Sequence, residues 1–160
     1  MLNIENDMTK KSGRYERVFS QLEELLKKTN DPISRMASIN AVLHHKMDNF
    51  FWTGFYLIQD GELHVGPYQG PVACQILEKN KGVCWAAINE GKTIIVPDVE
   101  LFSGHIACDS RSKSEIAIPI KDYKGSIIGV LDIDSQLSEN FDETDASALE
   151  KICSLIFKIS

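Results

Sequence analysis

No stretch of this sequence is apolar over the roughly 20 residues that span a bilayer. The segment from Met1 to Arg17 is polar and mixed in charge, without the apolar centre of a secretory signal. Basic residues are in deficit: 17 Lys and Arg stand against 23 Asp and Glu, for a net charge of -6. That balance argues against a nucleic-acid partner, whose phosphates call for clustered Lys and Arg, and against an anionic membrane surface. Repeats, low-complexity tracts and internal linkers are lacking too. The cysteines do not come in the close pairs typical of zinc sites; Cys74, Cys84 and Cys108 are widely spaced, and His105 with Cys108 is a weak pairing. No metal is therefore expected.

What is present is ordinary for a globular chain. The sequence has 160 residues, 43% hydrophobic and 25% charged, enough for one domain with its own core over residues 1–160. A cytoplasmic location is expected, and permanent structural disulfides are rare there. The four cysteines are then core filler, ligands or redox groups.

Two helices come first, over residues 1–48. Tyr15, Val18, Phe19, Leu22, Leu25 and Leu26 recur at helical spacing, and Asp31-Pro32 marks the start of a second helix running to about Met47. From residue 49 onward the period changes. Phe50 to Ile58 has strand composition, Asp60-Gly61 signals a turn, and Glu62 to Val65 reads as the return strand of a hairpin. Val72 to Leu77 reads as a further strand, Gly82 to Asn89 as a short helix closed by Gly91, and Thr93 to Val96 as a strand. Leu101 to Ser114 is a polar loop. Glu115 to Ile120 and Ser126 to Ile133 form a second hairpin, and Asp142 to Lys158 a closing helix. The expected class is α+β, with helices packed on a largely antiparallel sheet.

Alternation in the second hairpin places Ile116, Ile118 and Ile120 on one face, with Glu115 on the other. In its return strand Leu131 and Ile133 oppose Asp132 and Asp134. Glu115, Asp132 and Asp134 therefore gather at one end of a face if the register permits. Buried together they would repel and hold a proton near neutral pH; at an exposed strand end they would be ordinary solvated acids. Cys108 lies on the polar loop near His105, Arg111 and Lys113, where positive charge would lower a thiol pKa. Cys84 begins the short helix, whose N-terminus favours a thiolate. Cys74 falls on the expected strand after the first hairpin, and Cys153 on the apolar face of the last helix. Trp52, Gly54 and Tyr56 alternate along the first strand, so both rings share one face, as core packing or as a ligand wall with Gly54 leaving room between them.

Together, Trp52 to Tyr56, Gly66 to Gly70, Ala73-Cys74, Lys81 to Cys84, Gly104 to Asp109, Ser112 to Ile116 and Ile128 to Asp134 resemble the free methionine-(R)-sulfoxide reductases, a catalytic branch of the GAF domain family. Trp85 departs from that pattern, standing where a glycine usually follows the cysteine. The resemblance implies a GAF-type fold with a sheet of about six strands. It also implies Cys108 as the catalytic thiolate, Cys84 as the resolving cysteine and Cys74 as a further exchange partner. Trp52 and Tyr56 would surround the substrate methyl group, and Glu115, Asp132 and Asp134 would hold the substrate and assist at the sulfoxide oxygen. Thiolate attack on the sulfoxide sulfur would leave a sulfenic acid on Cys108, resolved to a disulfide and recycled by a thioredoxin-like dithiol, with no cofactor. A homodimer is expected on the same ground. The alternative is a non-catalytic GAF module that binds a small ligand or senses redox state.

Overall fold

The computed structural model describes residues 2–106 and 108–160, with side chains from Glu5 onward. Helix α1 (Leu2–Leu26) begins well before the periodic stretch, and residues 5–10 are exposed without an apolar stripe. Its buried side begins at Tyr15 and continues through Val18 and Leu22 to Leu26. Helix α2 (Pro32–Lys46) starts as the sequence predicts: Asp31 is extended and its carboxylate accepts from the Ser34 backbone N–H, with Pro32 in the first turn. The buried guanidinium of Arg35 donates to the carbonyls of Leu26, Thr29, Leu155, Ile156 and Lys158. One charge thereby ties the α1–α2 turn to the C-terminal segment.

Strands β1 (Trp52–Gln59) and β2 (Glu62–Gln69) form the first hairpin, with Asp60 and Gly61 both at positive φ. The expected strand over Val72 to Leu77 shrinks to β3 (Ile76–Leu77), so Cys74 sits on an irregular segment rather than in the sheet. Helix α3 (Gly82–Glu90) is closed by Gly91 in the left-handed region, φ 66°. Strand β4 (Ile94–Val96), a 3-10 turn over Val99–Leu101, and strands β5 (Ser114–Lys121) and β6 (Ile127–Ser135) follow. Helix α4 (Glu143–Cys153) carries a capping box between Asp142 and Asp145 and ends earlier than the apolar pattern.

The strands form one six-stranded sheet in the order β3-β2-β1-β6-β5-β4, with every pairing antiparallel. Alternation gives the sheet two unlike faces. Phe55, Ile116, Ile118, Ile120, Leu131 and Ile133 pack against α1, α2 and α4 as the main core. The opposite face carries Trp52, Tyr56, Ala117 and Val130 and is covered by α3 and the segments around Ala73 and Val99. Trp85 is buried in this second cluster, 5% exposed, so the bulk that departs from the family pattern is core packing rather than a pocket lip. Cys153 lies in the main core, as its helical position predicts. Among the described residues no helix is long and apolar enough to cross a membrane.

Candidate active site

The site lies on the second face, where three central strands present a row of side chains. The register pairs Trp52 on β1 with Asp134 on β6, and Asp134 with Glu115 on β5. One pleat along, Asp132 lies between Gly54 and Ala117. Asp132 lines the floor of a cavity lined also by Cys84, His105 and Cys108. The three acids that alternation placed on one face are thus brought together by register.

Glu115 is 6% exposed and Asp132 5% exposed, with Asp134 half-buried beside them. Burial, reinforced by Asp134, raises the Glu115 pKa from 4.5 to about 8. Burial and the Glu115 charge push Asp132 well above the carboxylate range, and burial with Asp132 does the same to Asp134. At neutral pH the cluster therefore holds protons. His105 Nε2 lies 3.2 Å from Glu115 Oε1, and burial lowers the imidazole pKa, so the neutral ring faces a protonated carboxyl group. This contact was not legible in the sequence, where His105 reads only as a neighbour of Cys108.

Trp52 stacks between Tyr68 and Tyr56, with ring centroids 5.3 and 5.6 Å apart. The indole lies over Gly54: a Cβ there would stand 2.4 Å from Trp52 Cη2 and 2.4 Å from Tyr68 Cβ. Gly54 does leave room, though for the indole itself. The polar tips of both rings have a second task. Trp52 Nε1 donates to the Pro71 carbonyl at 3.1 Å, and Tyr56 OH donates to the Cys74 carbonyl at 3.2 Å. The two rings fasten the irregular segment that carries Cys74 over the cavity. Tyr68, which completes the stack, went unrecognised in the sequence because its partner is a cross-strand neighbour.

Cys74 is joined to Cys108 in a disulfide with the Cα atoms 5.6 Å apart. Cys74 is half-buried and Cys108 exposed. Cys84 is a free thiol, 4% exposed, and is not the partner of Cys108. It does open α3, yet its setting is the reverse of the expected one: burial, with Asp132 and Glu115 nearby, pushes its pKa well above 9.0. Helix-terminal N–H groups are outweighed there by desolvation and adjacent acids. The expected positive surroundings of Cys108 also differ. Arg111 is committed to Asp109, through Nε at 2.9 Å and Nη2 at 2.6 Å, and stacks over the Phe51 ring 4.8 Å from its centroid. In this disulfide form the cavity has room for ordered water, about 50 Å³.

A sheet domain with an acidic pocket, an aromatic stack on one side and a disulfide-forming cysteine pair at its rim has the make-up of a small-molecule site. Residues 40–157 match the GAF domain family. The chain is 47% identical over 96% of its length to GAF domain-containing protein A of Dictyostelium discoideum, covering 97% of that protein. It is 38% identical to the free methionine-R-sulfoxide reductase of Escherichia coli over 79% of this chain and 76% of that one. The crystal structure of the Neisseria meningitidis free methionine-R-sulfoxide reductase, solved in complex with its substrate, superposes with a TM-score of 0.87 at 39% identity, over 92% of this chain and 88% of that chain. The chain belongs to the free methionine-R-sulfoxide reductase family of GAF domain proteins.

Proposed function

We propose that the protein reduces free methionine-(R)-sulfoxide to methionine, with Cys108 as nucleophile and Cys74 as the resolving cysteine. The observation that carries this reading is the Cys74–Cys108 disulfide at the rim of a cavity floored by Glu115, Asp132 and Asp134. In the reduced form, the Cys108 thiolate attacks the sulfoxide sulfur while a protonated carboxyl group donates to the oxygen. Methionine departs and Cys108 keeps the oxygen as sulfenic acid. The Cys74 thiol then displaces water from that sulfenic acid and the disulfide forms. An external dithiol of the thioredoxin type exchanges with the bond and returns both thiols, consistent with an exposed Cys108.

The acids serve twice, as proton donors to oxygen and, once ionised, as anchors for the substrate ammonium group. Trp52 and Tyr56 supply the apolar wall and hold the Cys74 segment. Cys84 takes no part in resolution in this scheme; it sits against Asp132 inside the cavity. Pairing of two chains remains part of the reading on family grounds. A ligand-sensing module would use the same pocket, and the exposed disulfide at its rim favours chemistry instead. The test supplies dithiothreitol and compares the two methionine sulfoxide epimers, each free and within a peptide. Methionine should form from the free R epimer alone; equal rates with the peptide-bound form would overturn the substrate assignment.

A further inference from the structure

The structure leaves Cys84 without a role in the thiol exchange, yet gives it two close neighbours of complementary chemistry. Its Sγ and one carboxylate oxygen each from Glu115 and Asp132 all lie within 4.8 Å of one another. All three side chains are more than nine-tenths buried. Asp132 lines the cavity and its Oδ1 has no hydrogen-bond partner. A buried carboxyl oxygen without a partner costs free energy that a ligand at that point would recover.

We propose that this cluster is a binding site for a thiophilic divalent cation of the zinc and cadmium type, one that occupies and blocks the pocket. A soft thiolate with two carboxylates selects such ions over magnesium or calcium. Bond lengths of about 2.3 Å to sulfur and 2.0–2.2 Å to oxygen put tetrahedral ligands roughly 3.3–3.8 Å apart. The three ligand atoms, within 4.8 Å of one another, need to draw together by about 1 Å to reach that spacing. Water fills the remaining position, with the His105 imidazole as a further donor 3.2 Å from Glu115 Oε1. Binding is an exchange of protons for metal: the Cys84 thiol and the Glu115 and Asp132 carboxyl groups release their protons to solvent as the cation takes their place, with no change in oxidation state. A cavity of about 50 Å³ has room for a cation with a water. The site is therefore complete in the disulfide form. Binding does not depend on the reductase reading; inhibition by the same ion does.

The test uses the full chain with the Cys74–Cys108 disulfide formed and Cys153→Ala, so that Cys84 is the remaining thiol. Cadmium titration should give a thiolate-to-metal charge-transfer band saturating at one ion per chain, with a heat that depends on the buffer through proton release. Zinc should displace the cadmium and magnesium should not. Cys84→Ser in the same background should abolish the band, and Glu115→Gln should weaken binding by more than about tenfold. Circular dichroism checks that each variant is folded. No band at large excess of cadmium, or equal affinity in folded Glu115→Gln, overturns the proposal. Methionine formation from sulfoxide is assayed on the parent protein in metal-free buffer, so the two readings fail separately.

Discussion

Replacing Gly54 by alanine sets two opposed effects against each other at one atom. In an unconstrained strand, alanine gains about 0.5–1 kcal/mol over glycine from lost chain entropy. Here the added Cβ would meet Trp52 Cη2 and Tyr68 Cβ, each at 2.4 Å, well inside contact distance. The indole can turn, but Tyr68 Cβ is fixed to the strand directly opposite, paired with Gly54 in the β1–β2 register. Overpacking of this kind costs about 1–3 kcal/mol, and two contacts at 2.4 Å place this case in the upper part of that range, about 2–3 kcal/mol, so the steric effect wins and the net loss is about 1–2 kcal/mol. For a chain of this size each kcal/mol lowers Tm by about 2–4 °C, giving a fall of roughly 2–8 °C. A turned indole also loses its hydrogen bond to the Pro71 carbonyl and loosens the segment bearing Cys74. The assay is thermal unfolding of the reduced protein, paired with the rate at which the Cys74–Cys108 bond closes after addition of an oxidant. A Tm equal to or above the parent's, with an unchanged closure rate, would refute the account of the aromatic stack.

Three further outcomes follow from the same geometry. Cys74→Ser should allow a single turnover and stop recycling, whereas Cys84→Ser should still form the Cys74–Cys108 bond, seen by peptide mass mapping; a parental steady-state rate in Cys74→Ser removes it as resolving residue. Tyr56→Phe deletes the hydrogen bond to the Cys74 carbonyl, worth about 1 kcal/mol, and should slow disulfide closure about fivefold; an unchanged rate would show that the tether is immaterial. Glu115 holds its proton more tightly folded than unfolded, so its contribution favours the fold at low pH and falls as pH rises from 4.5 toward about 8. Glu115→Gln should flatten the stability profile over that window, by a few kcal/mol at most, and make the protein more stable than the parent at pH 8 in urea melts. Parallel profiles in the two proteins would place the proton elsewhere.

Local signals carried much of the architecture. Asp31-Pro32 and Gly91 are governed by cap geometry within a few residues, and each does in the structure what its residue type dictates. The faces of β5 and β6 followed from alternation alone, which is why Glu115, Asp132 and Asp134 could be placed on one face before their register was known. What escaped were features set by distant partners. Cys74 lies on an irregular segment because Trp52 and Tyr56 tie it over the pocket, an interaction no periodicity encodes. Cys84 was expected to be a stabilised thiolate from its helix position, but burial, with Asp132 of β6 beside it, decides its environment. Arg111 looked like a neighbour that would activate Cys108 and instead closes on Asp109 two residues away. The cysteine pairing itself depends on how two irregular segments meet at the rim, and the order of cysteines along the chain does not specify it.

The central claim is tested most directly by mixing the fully reduced protein with free methionine-(R)-sulfoxide in the absence of any reductant. Methionine and protein disulfide are counted in the same sample. The account predicts one methionine released for each Cys74–Cys108 bond formed, and no methionine from Cys108→Ser. Methionine produced by Cys108→Ser, or produced by the parent without formation of that bond, would contradict it.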